Sequence, residues 1–120
     1  MTRQHFGQAN VPLSPAVRAG DFIFVSGQVP AVDGAVVPGG IEAQTRQVLD
    51  NVAAVLALAG AALSDIVKTT VILADARDFA AFNTVYASYF PTDPPARTTA
   101  EAKLMIDIMV EIEAVAYRPL

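Results

Sequence analysis

From Ile106 to Tyr117 apolar and polar positions alternate. Ile106, Ile108, Val110, Ile112, Ala114 and Ala116 fall on one side, and Asp107, Met109, Glu111, Glu113, Val115 and Tyr117 on the other. A period of two predicts a half-buried strand. Its second side joins two carboxylates to Met109, Val115 and Tyr117, a mixture suited to a lined cavity or a subunit interface. The stretch Ala96–Ala102 predicts another strand, with Arg97, Thr99 and Glu101 on one face. If these two strands pair closely, the Arg97 guanidinium lies beside Glu111 and Glu113, where a small anion can bind.

The rest of the chain supplies the other layers. Ala16–Ala19 and Phe22–Gly27 predict a hairpin about Gly20-Asp21, with glycine first as a type II′ turn requires. Ser26 ends its second strand, either closing the strand or, beside Gly27, touching a ligand. Val32–Gly40 predicts a loop around an Asp-Gly turn. Ile41, Thr45, Val48, Leu49, Val52, Val55, Leu56 and Ala59 recur at helical spacing, so Ile41–Ala59 is an amphipathic helix stopped by Gly60. Ile66–Leu73 is β-branched and apolar on both faces, as in a central strand. Its Lys68 suits a snorkelling edge residue better than a Schiff-base lysine. Phe79, Phe82, Val85, Tyr86, Tyr89 and Phe90 form a second helical stripe, capped by Asp75 or Asp78 and ended by Pro91. Asn83 falls inside that helix, either exposed or with its amide reaching a neighbouring loop or subunit.

These elements give one α+β domain over residues 1–120, with two helices on one sheet face. The opposite face offers Phe22, Phe24 and residues of the later strands to a partner. Composition sharpens that expectation: the 120 residues are 53% apolar and only 17% charged, and mean hydropathy is +0.42. A homo-oligomer that buries the open faces together accounts for the surplus.

Charge narrows the partners. The net charge is −4 and no cluster of Lys or Arg occurs, so nucleic acid is not expected as a partner. The chain has no cysteine, which excludes disulfides and thiolate catalysis. The longest uncharged apolar run, Val52–Leu63, is shorter than the roughly 20 residues of a membrane span, and a soluble, cytoplasmic protein is expected. The polar first dozen residues suggest an extended surface arm, with His5, the only histidine, solvated.

No metal-ligand spacing, phosphate-binding glycine loop or Ser-His-Asp set is present. The remaining chemistry is an arginine for a carboxylate with an acid/base carboxylate nearby, or else a structural Arg–Glu ion pair.

Several segments resemble a known family. They are Val25-Ser26-Gly27-Gln28-Val29-Pro30, the helix segment from Gln44 to Val52, Asp65 to Val71, Asp78-Phe79-Ala80 with Asn83 and Tyr86, Pro95-Ala96-Arg97, and Val110 to Ala114. With them the chain resembles the reactive-intermediate deaminases, also called the Rid or YjgF-like family, over nearly its whole length. The resemblance implies a chorismate-mutase-like α+β fold with a single mixed sheet, and a homotrimer around a central barrel with clefts between subunits. It implies hydrolysis of 2-imino acids and their enamine tautomers (2-aminoacrylate, 2-iminopropanoate, 2-iminobutanoate) to 2-oxo acids and ammonia, with no cofactor and no metal. By the same resemblance Arg97 binds the substrate carboxylate and Glu111 handles the attacking water. Ser26, Gly27 and the backbone of Thr99 contact substrate, Asn83 supports the site, and Glu113 is the rival acid/base.

Two departures from the family pattern stand out. A Tyr common after Gly-Pro is missing at Ser14-Pro15-Ala16, which implies a gap at Ala16 that admits a bulkier acid. The stretch between Arg97 and Glu111 is one residue short, which weakens the assignment of Glu111. Other readings of the family pattern are a 2-oxo-acid-binding or chaperone-like trimer without catalysis, and a ribonuclease, which the net charge disfavours.

Overall fold

A computed structural model describes residues 2–120. Gly20, at φ 61°, turns the chain between β2 (Ala16–Ala19) and β3 (Phe22–Gln28), and the pairs Ala19↔Phe22 and Ala16↔Val25 close the predicted hairpin. Asp33 and Gly34 both take positive φ, 52° and 82°, as a type I′ turn requires. They join β4 (Ala31–Val32) to β5 (Ala35–Val36), so the expected loop contains a small hairpin.

The segment predicted as a surface arm forms an edge strand, β1 (Gln4–Phe6), antiparallel to β2. Three residues are too few to show a period, and the partner is what makes them a strand. His5 remains exposed there, its Nδ1 2.8 Å from the Ser14 hydroxyl.

Helix α1 (Ile41–Leu58) buries Ile41, Thr45, Val48, Leu49, Val52 and Leu56, the stripe that the sequence predicts. Gly60, at φ 77°, ends it. The Ala61 N–H donates to the Leu56 carbonyl at 3.0 Å and the Gly60 N–H to Ala57 at 3.1 Å, the paired bonds of a glycine-terminated helix. Asp75 caps a single 3-10 turn by accepting from the Arg77 N–H at 2.9 Å, and α2 (Phe79–Tyr89) follows. Phe82, Val85 and Tyr86 are buried on α2 and Phe90 just after it, whereas Phe79 is 43% exposed.

The main sheet contains six strands in the order β1-β2-β3-β8-β6-β7, completed by β6 (Ile66–Leu73), β7 (Ala96–Glu101) and β8 (Val110–Tyr117). β6 and β7 pair in parallel and the other neighbouring strands antiparallel, so the sheet is mixed. Strand β8 starts at Val110 and not at the predicted Ile106. Its pairing with β6 ends at Leu73↔Val110, and alternation without a neighbour does not make a strand. Ile106 is instead half exposed in the preceding loop.

Both helices cover the face that carries Ile23, Val25, Val71, Ile112, Ala114 and Ala116, all of them buried. The other face bears Phe22, Phe24, Val67 and Tyr117, all more than 40% exposed. Val67 therefore departs from the doubly buried strand read from the sequence. Lys68 lies on an interior strand, paired with Ala96 and Val115, and not at the expected sheet edge; its Nζ donates to Thr98 Oγ1 at 2.8 Å in an exposed setting.

Candidate functional site

Register decides which residues can meet. Thr69 pairs with Arg97 on one side and with Ala114 on the other. Residues opposite one another in a sheet point to the same face, so Arg97 shares the helix-covered face with buried Thr69 and Ala114. Glu111 and Glu113 alternate with Ile112 and Ala114 and therefore point to the open face. The expected meeting of Arg97 with these glutamates does not occur within one chain, because β6 lies between their strands and their side chains leave opposite faces. Neither ion pair among the described residues, Arg77–Asp75 and Arg118–Asp65, involves Arg97.

On the helix side, Arg97 sits on the edge strand under three aromatic rings. Its guanidinium carbon is 4.8 Å from the Tyr86 ring centre, 5.5 Å from Phe82 and 5.6 Å from Phe79, all within cation–π range. The Tyr86 hydroxyl is fixed 2.7 Å from Thr69 Oγ1. Arg97, Asn83, Tyr86, Ala87, Phe90, Pro94 and Pro95 line a cleft of about 400 Å³, which brings Asn83 beside the arginine. Thr99, two residues along, lines a neighbouring pocket with Leu73 and Phe79. A guanidinium held by ring faces, with no carboxylate partner among the described residues, keeps its N–H donors for an anion. The aromatic stripe was legible as core; its second use, around Arg97, depends on the parallel pairing of β6 with β7.

On the open side, β3 and β8 pair at Val25↔Ala114 and resume at Gln28↔Ile112, so Ser26-Gly27 forms a bulge. A Cβ on Gly27 would clash with Glu111 Oε2 and stand 3.0 Å from its Cδ. The glycine is what lets the carboxylate lie against the backbone. Burial raises the Glu111 pKa, and the charge of neighbouring Glu113 raises it further. Glu111 is half-buried and Glu113 exposed. The Ser26 hydroxyl donates to the Ser14 carbonyl at 2.6 Å, the strand-closing role that the sequence left as one of two alternatives.

The gap expected at Ala16 is absent. Ala16 pairs with Val25 on the helix-covered face and is fully buried, so no cleft wall is missing there. The other Pro-X pair of the segment is Pro12-Leu13, and Leu13 is 49% exposed.

The chain matches the family model described as Endoribonuclease L-PSP over residues 3–118. It belongs to that family. Among Endoribonuclease L-PSP relatives, a RutC family protein of Pyrococcus horikoshii is 49% identical over 111 residues, 89% of this chain and 87% of that protein. A protein of Arabidopsis thaliana named Reactive Intermediate Deaminase A, chloroplastic, is 42% identical over 108 residues, 88% of this chain and 58% of that protein. The crystal structure of yeast Mmf1 superposes with a TM-score of 0.94 at 36% identity, covering 98% of this chain and 99% of that one. The resemblance read from the sequence and the family's two helices on a mixed sheet thus both hold. Among the described residues no helix is long and apolar enough to cross a membrane.

Proposed function

We propose that the chain is a hydrolase that deaminates 2-imino acids and their enamine tautomers, 2-aminoacrylate, 2-iminopropanoate and 2-iminobutanoate among them, to 2-oxo acids and ammonia. Arg97 carries this assignment: its guanidinium is caged by ring faces, has no carboxylate partner among the described residues and opens at a sheet edge. The name of the Arabidopsis relative supports the same chemistry.

Arg97 binds the substrate carboxylate through two parallel N–H donors, about 1.5–3 kcal/mol of charge-assisted interaction. Glu111 activates the water that adds to the C=N carbon. Ionised, it takes a proton from water as the oxygen adds to that carbon, and the C=N electron pair moves to nitrogen, which takes up a proton. The carbinolamine so formed, R–C(OH)(NH2)–COO⁻, loses its hydroxyl proton, re-forms C=O, and expels the protonated nitrogen as ammonia. Atoms balance as imine plus water giving 2-oxo acid plus ammonia, so the reaction calls for no cofactor. Half-buried Glu111 suits this role better than exposed Glu113, because burial moves its pKa toward neutrality.

Because Arg97 and Glu111 leave opposite faces, a site using both takes one from each of two subunits. The exposed Phe22, Phe24, Val67 and Tyr117 supply apolar surface for that assembly, and a homotrimer is the oligomer this reading adopts. Light scattering checks it, since a monomer in solution would leave the site incomplete.

The test generates 2-iminopropanoate and 2-iminobutanoate in situ with an amino-acid oxidase or threonine dehydratase and follows the 2-oxo acid. Wild type accelerates its formation; Arg97→Ala and Glu111→Gln do not. A folded wild type inactive on both imines would favour a deaminase of a bulkier imine or a 2-oxo-acid-binding trimer without catalysis. The family's ribonuclease name finds little support in a chain of net charge −4 without a basic cluster.

A further inference from the structure

Strand β2 carries Arg18 on the same face as fully buried Ala16, two residues before it. Arg18 is itself only 6% exposed, and neither ion pair among the described residues involves it. Burying a cation without an anion is costly, and neutral acceptors offset only part of that cost. Two such acceptors are present, both on one nitrogen: Nη1 donates to the Arg118 carbonyl at 2.8 Å and to the Gly20 carbonyl at 3.1 Å. These bonds hold the guanidinium against the β2–β3 turn and the segment that follows β8. Nε and Nη2 make no hydrogen bond among the described residues. On a guanidinium those two nitrogens present parallel N–H bonds, the side-on fork that grips an oxyanion.

Beside Arg18 lies a cavity of about 390 Å³, lined also by Thr2, Gln4, Gly20 and Leu120, within the size range of small-molecule sites. Gln4 pairs with Arg18 across β1 and β2, so its amide leaves the same face as the guanidinium. Strands β3, β8 and β6 separate this cavity from Arg97 on β7, and no residue lines both it and the Arg97 cleft.

We propose that Arg18 is the centre of a second anion site, which takes a tetrahedral oxyanion: inorganic phosphate or the phosphate group of a small monoester. The fork at Nε and Nη2 holds two of its oxygens, and the Gln4 amide and Thr2 hydroxyl are donors for those that remain. A carboxylate has only two oxygens and leaves these further donors idle. The anion supplies the counter-charge that the fold withholds from Arg18. Because Nη1 stays on Arg118 and Gly20, the occupied site braces the β2–β3 turn against the end of β8, and binding to the folded chain alone raises its stability by mass action.

Thermal unfolding of the full chain tests this, at fixed pH and ionic strength, with inorganic phosphate, glycerol 3-phosphate and pyruvate as titrants. Wild type and Arg97→Ala are expected to show the same saturable rise in midpoint with either phosphate, since Arg97 lies elsewhere. Arg18→Lys keeps the charge and loses the fork, so its half-saturating phosphate concentration rises about tenfold or more, the effect of one lost hydrogen bond to a charged group. Glycerol 3-phosphate binding more tightly than phosphate identifies a monoester as the ligand, and equal or weaker binding identifies free phosphate; either supports the site. Should Arg18→Lys not fold, the backbone amide NMR signals of Gln4 and Gly20 decide, by shifting saturably with phosphate in both wild type and Arg97→Ala. A rise in midpoint that never saturates, or one of equal strength in Arg18→Lys, overturns the proposal. So does a rise lost in Arg97→Ala, which would send the anion to that arginine. Unmoved Gln4 and Gly20 signals, or pyruvate outcompeting both phosphates in Arg97→Ala, overturn it as well.

Discussion

Arg97 and Glu111 stand on opposite faces of one sheet with β6 between their strands, fixed there by the pairs Thr69↔Arg97 and Ile72↔Glu111. No side-chain rotation brings them together, so a reaction that needs both must draw them from different copies of the chain. Mixed oligomers test this. Arg97→Ala and Glu111→Gln, each inactive alone, regain activity when co-expressed, because some interfaces then join an intact Arg97 to an intact Glu111. Random assembly into closed rings restores about one quarter of the sites. No recovery in verified mixed oligomers would mean that the two residues do not share a site.

The aromatic cage faces the planar Arg97 guanidinium on its ring side and leaves it a directed donor. Arg97→Lys keeps the charge but loses the fork that grips a carboxylate and much of the stacking on Tyr86. KM for the imine is expected to rise about tenfold or more, with a smaller change in kcat. Equal loss in kcat and none in KM would assign the guanidinium to the transition state alone.

Glu111 links stability and activity to pH in opposite senses. Its folded-state pKa is raised, by burial first and by Glu113 second. A raised carboxyl pKa contributes stability that is fully present below the unfolded value and is lost as pH rises through the folded one. Glu111→Gln is therefore more stable than wild type at neutral pH, and the advantage fades in acid, which denaturation midpoints across pH will show. In the proposed reaction Glu111 acts ionised, so the acid limb of kcat/KM is expected above the ordinary carboxylate range. Glu113→Gln moves that limb to lower pH but not all the way, since burial remains. A limb that ignores Glu113 would separate the two carboxylates electrostatically.

Periods and turn chemistry carried much of the fold in local sequence. Helix α1 with Gly60, the Gly20-Asp21 turn, and the in-and-out pattern from Val110 to Tyr117 all depend on neighbours within one element. The division of the candidate site was not legible in the same way. Whether Arg97 shares a face with Glu111 depends on which strand lies between β7 and β8 and on the parity of two registers, and that strand comes from Ile66–Leu73, earlier in the chain. Ala16 shows the same limit: Pro15-Ala16 and Pro12-Leu13 look alike locally, and only pairing with Val25 puts Ala16 in the core. Ser26 lay in between. Its strand-closing role was one of two readings, but its acceptor, Ser14, becomes visible only once β2 and β3 are aligned.

Two buried threonines offer a test of the core. Thr45, fully buried on α1, has a hydroxyl with no hydrogen-bond partner among the described residues; Thr69, 1% exposed on β6, bonds the Tyr86 hydroxyl at 2.7 Å. Valine has nearly the shape of threonine and removes only the polar atom. Thr45→Val therefore deletes an unsatisfied group and should stabilise the fold by about 1–3 kcal/mol, whereas Thr69→Val strands the Tyr86 hydroxyl and should destabilise it by a similar amount. Denaturant midpoints at matched protein concentration measure both, since assembly makes stability depend on concentration. Because Tyr86 also faces the Arg97 guanidinium at 4.8 Å, Thr69→Val should raise KM for the imine as well, and Thr45→Val should leave it unchanged. A destabilised Thr45→Val would mean that its hydroxyl has a partner in the assembled protein.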